Sequence, residues 1–288
     1  MSADVVPAVG GATAAPLAGL RVLVTRAAAD AGGFAEALRA LGAEPVLAPA
    51  IEVAPLEDTS ALDAALRNLR AWGWVVFTSA NGVRHAWRRL EALGLEGELE
   101  DGEHGRRPGL PRVAAIGPAT AAALERRGVR PDFVPREYVA EALARDLPLR
   151  PGARVLCLRA DLARPALREI LLGRGAVVDD VPAYRTTAVG AAGGGRGGSP
   201  EPDRDAGGAT ESSAGEEAPA VDVVTFTSPS TVRGHVARFG APPPGVAVVC
   251  IGPVTARAAR ETGLEVHAVA RRYTIPGLLE ALRSLREP

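Results

Sequence analysis

The sequence contains no lysine; all 33 of its basic residues are arginine. This excludes Schiff-base chemistry on lysine, lysine-dependent pyridoxal catalysis and the lysine of a phosphate-binding P-loop. Cysteine is scarce: Cys157 and Cys250 each sit inside an apolar run, where a small buried thiol is expected, and they give no disulfide framework. The four histidines, His85, His104, His235 and His267, show neither HxxxH nor Cys/His spacing, so no metal site is expected. Charge of one sign is also missing. A net charge of −1 without a long single-sign run points away from nucleic acid and from anionic membrane surfaces, and towards small-molecule partners. No apolar run approaches the roughly 18 residues of a membrane span. Residues 1–20 lack the basic start and leucine-rich core of a secretory signal, so residues 1–16 read as a disordered leader on a cytoplasmic protein.

What is present is a rhythm. Short β-branched runs alternate with Ala/Leu/Arg-rich stretches of helical period, the βαβα pattern of parallel sheets covered by helices on both faces. Strands are predicted at 21–25, 45–51, 74–78, 112–116, 131–134, 154–158, 177–181, 222–227, 246–251 and 265–269. Helices are predicted at 31–41, 81–93, 119–127, 139–147, 164–173, 230–239, 255–262 and 275–285. Residues 96–111 read as a mobile polar loop, and 190–220, rich in Gly, Ser, Glu, Asp and Pro, as a solvated, disordered insertion.

The chain also repeats itself. Val75-Val-Phe-Thr-Ser-Ala-Asn-Gly-Val-Arg84 is echoed by Val224-Thr-Phe-Thr-Ser-Pro-Ser-Thr-Val-Arg233, and Ala115-Ile-Gly-Pro-Ala-Thr-Ala121 by Cys250-Ile-Gly-Pro-Val-Thr-Ala256. A third pair is Arg21-Val-Leu-Val-Thr-Arg26 and Arg154-Val-Leu-Cys-Leu-Arg159. Ten strands in two repeats make two five-stranded sheets.

Four of the repeated motifs fall where a strand gives way to a helix. Ser79, Ser228, Thr120 and Thr255 lie there and either cap the helices or bind anions together with the free amides of the helix starts. Two such domains facing each other surround a cleft beyond the carboxyl ends of their strands. Arg26 and Arg159 end equivalent strands, where each either holds a ligand carboxylate in two-pronged geometry or pairs with a neighbouring acid. Tyr184, one of three tyrosines, ends a strand where the chain leaves one domain; it either packs half-buried or donates a proton to a departing hydroxyl. Asn81 reads as part of a helix start, and His85 and His235 as solvated.

In this order, Arg21-Val-Leu-Val-Thr-Arg26, Phe77-Thr-Ser-Ala-Asn-Gly-Val83, Ile116-Gly-Pro-Ala-Thr-Ala121, Pro182-Ala-Tyr-Arg-Thr186, Phe226-Thr-Ser-Pro-Ser230 and Ile251-Gly-Pro-Val-Thr-Ala256 resemble the uroporphyrinogen-III synthase family over about residues 20–285. The resemblance implies two flavodoxin-like α/β domains with a cleft between them. The first would comprise 17–52 plus 187–288 and the second 54–184, with 51–56 and 181–187 as the two-strand connection. It implies cofactor-free cyclisation of hydroxymethylbilane, a linear tetrapyrrole with eight carboxylates, with loss of water and inversion of the last pyrrole through a spiro intermediate. Tyr184 is the implied catalytic residue. Thr25, Arg26, Ser79, Asn81, Gly117, Thr120, Arg159, Ser228, Ser230, Gly252 and Thr255 are the substrate-binding candidates. The sequence departs from the family pattern at Ala27, Ala80 and Tyr138-Val-Ala-Glu141. A monomer is expected, with transient contact to hydroxymethylbilane synthase as the protein partner. The competing reading is a non-catalytic tetrapyrrole-binding regulatory module; in some relatives of that kind a DNA-binding segment follows the fold, whereas this chain stops at Pro288.

Overall fold

The computed structural model describes residues 15–101, 108–190 and 216–286. Most of the expected leader, most of the expected 190–220 insertion and His104 therefore lie outside the described residues. The strands are β1 (Arg21–Val24), β2 (Glu44–Leu47), β3 (Ile51–Ala54), β4 (Trp74–Phe77), β5 (Arg112–Ala115), β6 (Arg154–Ala160), β7 (Val177–Ala188), β8 (Val223–Phe226), β9 (Ala247–Cys250) and β10 (Ala268–Val269). They form two five-stranded sheets, ordered β10-β9-β8-β1-β2 and β3-β7-β6-β4-β5. All pairings in both sheets are parallel except that of β3 with β7. The architecture is therefore α/β with two mostly parallel sheets, as the alternating pattern predicts.

The sequence repeat explains the strand orders. Taking β6 as the counterpart of β1, β7 of β2, β4 of β8 and β5 of β9, the second sheet repeats the order of the first. The counterpart of β10 is the single parallel bridge between Ala114 and Phe133. A full strand at 131–134 does not form, because Pro131 offers no ladder donor and Pro135 closes the segment after three further residues. The predicted 45–51 strand divides for the same reason. Pro49 interrupts it, so β2 stays at the edge of the first sheet while β3 pairs antiparallel with the far end of β7, Ile51 opposite Ala188 and Ala54 opposite Arg185. β7 is 12 residues long rather than five; it runs beside β6 and then beside β3, so the chain passes between the sheets as paired strands.

Helices fall where the periodicity puts them, with ends shifted by a few residues: α1 (Ala28–Ala40), α3 (Ala80–Leu93), α4 (Pro118–Glu125), α5 (Ala140–Asp146), α6 (Ala166–Gly173), α7 (Pro229–Phe239), α8 (Pro253–Glu261) and α9 (Ile275–Ser284). α3 buries Val83, Ala86, Trp87 and Leu90, a stripe at i, i+3, i+4 and i+7, and Gly94 in the left-handed region (φ 66°) ends it. The periodicity does not reveal α2 (Ser60–Arg67), started by an Asp58 carboxylate that accepts from Ser60 N–H at 2.8 Å and anchored by Leu62 and Leu66. At about 1.5–3 kcal/mol for each fully buried leucine, that face suffices to hold two turns of helix. The polar 96–111 segment is tied down at its start. Glu96–Glu98 form a 3-10 turn, Leu99 is fully buried, and Glu98 takes a hydrogen bond from Arg70 Nε at 2.7 Å.

Candidate active site

The carboxyl ends of β4, β5 and β6 face those of β8 and β9 across a cavity of about 560 Å3, closed on a further side by Thr186–Ala188 of β7. Its described lining contains three arginines, Arg159, Arg164 and Arg233, and no aspartate or glutamate. Hydroxyls come from both halves of the repeat: Thr78 and Tyr138 on one side, Thr227, Ser228, Ser230, Thr255 and Tyr273 on the other. The volume lies within the roughly 300–1,000 Å3 of small-molecule sites. Apolar wall comes from Ile51, Ile116 and Ile251, and from Leu162, whose side chain is 73% exposed.

Two of the wall's corners are helix starts built in different ways. At α7, Ser228 accepts from Thr231 N–H (3.2 Å) while Thr231 Oγ1 accepts from Ser228 N–H (3.2 Å), a reciprocal cap, and the Ser228 and Ser230 hydroxyls meet at 2.8 Å. At α8, Gly252 starts the helix in extended conformation without a side-chain cap, followed by Pro253. The N–H groups of Val254 and Thr255 make no hydrogen bond among the described residues, leaving donors on the positive end of the helix dipole. A Cβ at Gly252 would lie 3.1 Å from the Tyr273 ring, and one at Gly117 would lie 3.1 Å from the Tyr138 ring. Each tyrosine follows its glycine by 21 positions (138 − 117 and 273 − 252), so Tyr138 and Tyr273 are a further pair of the repeat that sequence reasoning overlooked. The detectable signal was Arg136-Glu-Tyr138-Val-Ala140 against Arg271-Arg-Tyr273-Thr-Ile275.

Of the residues singled out from sequence, Arg159, Ser228, Ser230, Gly252 and Thr255 line the cavity. Arg159 is only 4% exposed: Nε donates to Asp180 Oδ1 at 2.8 Å, Nη2 donates to the other carboxylate oxygen, and Nη1 donates to the Arg164 carbonyl at 2.8 Å. Of its two readings, the ion pair is the one realised. Thr25 does not reach the cavity. It is fully buried, its hydroxyl donating to the Thr225 carbonyl at 2.7 Å while Thr225 returns a bond to the Leu23 carbonyl at 2.7 Å, a reciprocal stitch between β1 and β8. Gly117 and Thr120 are likewise buried behind the cavity surface, Gly117 beneath Tyr138.

A second constellation gathers Tyr184, Ser79, Asn81 and Arg26. β7 slips register against β6 at Pro182, Arg159 opposing Pro182 but Ala160 opposing Tyr184, so Ala183 is the extra residue of a bulge. A bulge moves the following side chain to the other face. Tyr184 thereby points at α3, where its hydroxyl lies 2.9 Å from Ser79 Oγ, itself accepting from Gly82 N–H at 2.9 Å. The Tyr184 ring stacks on His85 at 5.5 Å. Burial raises the phenol pKa above its ordinary value, against a smaller opposing pull from the Ser79 hydrogen bond, so the hydroxyl keeps its proton at neutral pH. Asp30 of α1, which the sequence reading passed over, joins the two halves: it accepts from Asn81 Nδ2 and from Arg84 Nη1, both at 3.0 Å. Asn81 thus spends its amide on Asp30 rather than on capping its own helix. Arg26 donates through Nε to the Asp30 carbonyl at 3.1 Å and forms no carboxylate ion pair among the described residues.

Both histidines expected in solvent are buried, His85 against Tyr184 and His235 between Phe226 and Phe239. Neither ring nitrogen of His235 has a hydrogen-bond partner, and burial lowers its pKa to about 4. In an unfolded chain it titrates near 6.5, so between these values the unfolded state binds a proton that the folded state refuses. Stability is therefore full above that window and falls as pH drops through it, by about 2 kcal/mol at pH 5 from this residue alone. His235→Leu is expected to remove that component in urea unfolding at pH 7 and pH 5; an unchanged difference between the two pH values would contradict it. Cys157 and Cys250 are buried as expected, with thiol pKa values pushed up by burial to about 12, which makes them poor nucleophiles. No metal-ligating cluster of His, Cys, Asp and Glu occurs among the described residues, and no described helix is long and apolar enough to cross a membrane.

Strand ends confronting each other over a cavity with three arginines and no carboxylate in its described lining define an α/β protein built from two mostly parallel sheets around a small-molecule-sized cleft. Comparison with known proteins narrows this class. The family described as uroporphyrinogen-III synthase HemD matches residues 32–280, and the chain belongs to that family of cyclising lyases in tetrapyrrole biosynthesis. It is similar to the porphyrin biosynthesis protein HemD of Ruminiclostridium josui, 32% identical over 93% of this chain but only 49% of the relative, so it spans about half that protein's length. To the uroporphyrinogen-III synthase of Synechococcus elongatus it is 31% identical, over 93% of this chain and 96% of the relative. Among solved structures, a mutant uroporphyrinogen III synthase of Thermus thermophilus shares the fold with TM-score 0.57 at 20% identity, covering 93% of this chain and all of that one.

Proposed function

We propose that the cavity binds hydroxymethylbilane and that Tyr184 assists the departure of its hydroxyl group. The observation that carries this reading is the hydrogen-bond relay at the start of α3. Gly82 N–H donates to Ser79 Oγ, which leaves the Ser79 proton free to point at Tyr184 Oη and the phenol proton free for a ligand. As the carbon–oxygen bond breaks, that proton passes to the departing oxygen and water leaves. The Ser79 donor and the α3 dipole then stabilise the phenolate left behind. The electron-rich pyrroles supply the electrons, so the protein's remaining task is to fold the chain for attack at the substituted carbon of the last ring. Tenfold to hundredfold preference for that path requires only about 1.4–2.8 kcal/mol of differential transition-state binding.

Substrate carboxylates find the free amides of Val254 and Thr255, the Ser228 and Ser230 hydroxyls and Arg26, while pyrrole rings lie against the apolar wall. In this reading residues 17–52 with 187–288 form one domain and 54–184 the other, joined by the β3/β7 pair, and the protein acts as a monomer. Asp30 holds the two together beside Tyr184. A ligand that binds only the folded state at 100 times its Kd stabilises it by about 2.7 kcal/mol. Uroporphyrinogen III is accordingly expected to raise the melting temperature under anaerobic conditions, and its octamethyl ester is not. Equal shifts from acid and ester would overturn carboxylate recognition in the cavity.

A further inference from the structure

The cavity continues, past the starts of α7 and α8, into a smaller one of about 230 Å3 that shares Arg164, Pro229, Arg233 and Val254 with it and adds Arg257. Arg233 follows Pro229 by one helical turn on α7, and Arg257 follows Pro253 by one turn on α8. Both side chains therefore lean back over their own helix starts, that of α8 being the one with the free amides. Arg164 approaches from the other half of the molecule, on the loop between β6 and α6, which is fixed because the Arg164 carbonyl accepts from the buried Arg159.

The arginines of these two cavities differ in whether a carboxylate already holds them. Arg21, Arg70, Arg84, Arg89, Arg127, Arg159, Arg185, Arg238 and Arg272 each contact a carboxylate, and Arg164 keeps Glu141 at 3.0 Å. Arg233 and Arg257 are exposed and have no carboxylate within ion-pair distance among the described residues, although Glu261 stands one turn from Arg257 in the same small cavity. Two unpaired guanidinium groups over two helix starts, faced by Arg164 from across the cavity, place positive charge among Pro229, Val254 and Ala258, with Glu261 as the one acid of the small cavity, next to the hydroxyls and free amides of the main one. Guanidinium groups match carboxylates in bidentate geometry.

We infer that Arg233 and Arg257, with Arg164 opposite, form a carboxylate subsite that takes acidic side chains of the tetrapyrrole and fixes one end of the substrate in the cavity. The inference rests on the proposed function and assigns two residues that neither the repeat nor the motif resemblance marked as substrate-binding. Because both halves contribute, an anionic side chain held here also bridges them.

Steady-state kinetics on enzymatically generated hydroxymethylbilane test this. With each charge-assisted contact at about a tenfold effect, Arg233→Ala with Arg257→Ala is expected to raise KM about 30- to 100-fold with kcat within about threefold, and added salt should raise the wild-type KM more steeply than that of the double variant. Replacing both with lysine should restore most of the loss, since the point charges remain. Both side chains are exposed, so melting temperatures should stay near wild type; should the double variant unfold, Arg233→Glu alone must still raise KM at least tenfold. Unchanged KM, or a fall in kcat without a rise in KM, would overturn the subsite while isomer III from wild type kept the proposed function intact. Isomer I alone from folded wild-type protein would overturn the function itself.

Discussion

Tyr184→Phe is expected to lower kcat about 100-fold, at the low end of what a positioned general acid contributes, while leaving KM nearly unchanged. The ring keeps its place: Tyr184 is 7% exposed, packed in the core beside Ala183 and stacked on His85, and phenylalanine fills the same volume. Only the hydroxyl is lost, with the 2.9 Å contact to Ser79. Stability should fall by about 0.5–1.5 kcal/mol, the range for one partly buried hydrogen bond. Ser79→Ala separates the relay from the acid. It removes the donor to the phenol and the cap of α3 together, so kcat should fall less than in Tyr184→Phe while stability falls about as much, by roughly 1 kcal/mol. Equal kcat for Tyr184→Phe and wild type would take the phenol out of the reaction.

Gly234→Ala is expected to be strongly destabilising for the addition of one methyl group. A Cβ at Gly234 would stand 2.2 Å from the Ala50 carbonyl oxygen, which itself accepts from Val189 N–H at 3.1 Å. Neither neighbour can turn aside, because Ala50 precedes β3 and Val189 follows β7, the paired strands that pass between the sheets. α7 must therefore lift away, which strains or opens a close-packed contact at about 2–4 kcal/mol. The same movement carries Ser228, Ser230 and Arg233 outward along the cavity wall, so KM should rise along with the loss of stability. Urea unfolding of the variant against wild type checks the first part; a midpoint within error of wild type would show that the helix has room for the added methyl group.

Much of this was legible because the repeat is strong. The Phe-Thr-Ser and Gly-Pro-x-Thr motifs placed four strand-to-helix corners correctly, whereas Arg26 lies two residues beyond the end of β1 and Arg159 lies inside the longer β6. The misreadings have local causes. Pro49 and Pro131 interrupt apolar runs whose composition reads as continuous strand, and the length of β7 depends on pairing with β3, a contact between residues more than a hundred positions apart. His235 was placed in solvent because a polar residue one to two turns into a helix usually faces out; here Gly234 brings the helix so close to Ala50 that its neighbour is enclosed too. Asp30 could not be recognised from sequence, since its partners Asn81 and Arg84 lie 51 and 54 residues away on another element. Whether a rim arginine is free or already paired is likewise a property of the assembled surface: Arg159 found Asp180, and Arg233 found no acid among the described residues.

The most direct test of the central claim supplies freshly generated hydroxymethylbilane to the purified full chain and resolves the oxidised products by isomer. Predominant isomer III from wild type, with Tyr184→Phe shifted towards isomer I as uncatalysed closure overtakes the slowed enzyme, is the outcome expected of a cavity that folds the substrate and a phenol that releases its hydroxyl. Isomer I alone, formed at the uncatalysed rate by folded wild-type protein, would contradict it and leave a tetrapyrrole-binding module in its place.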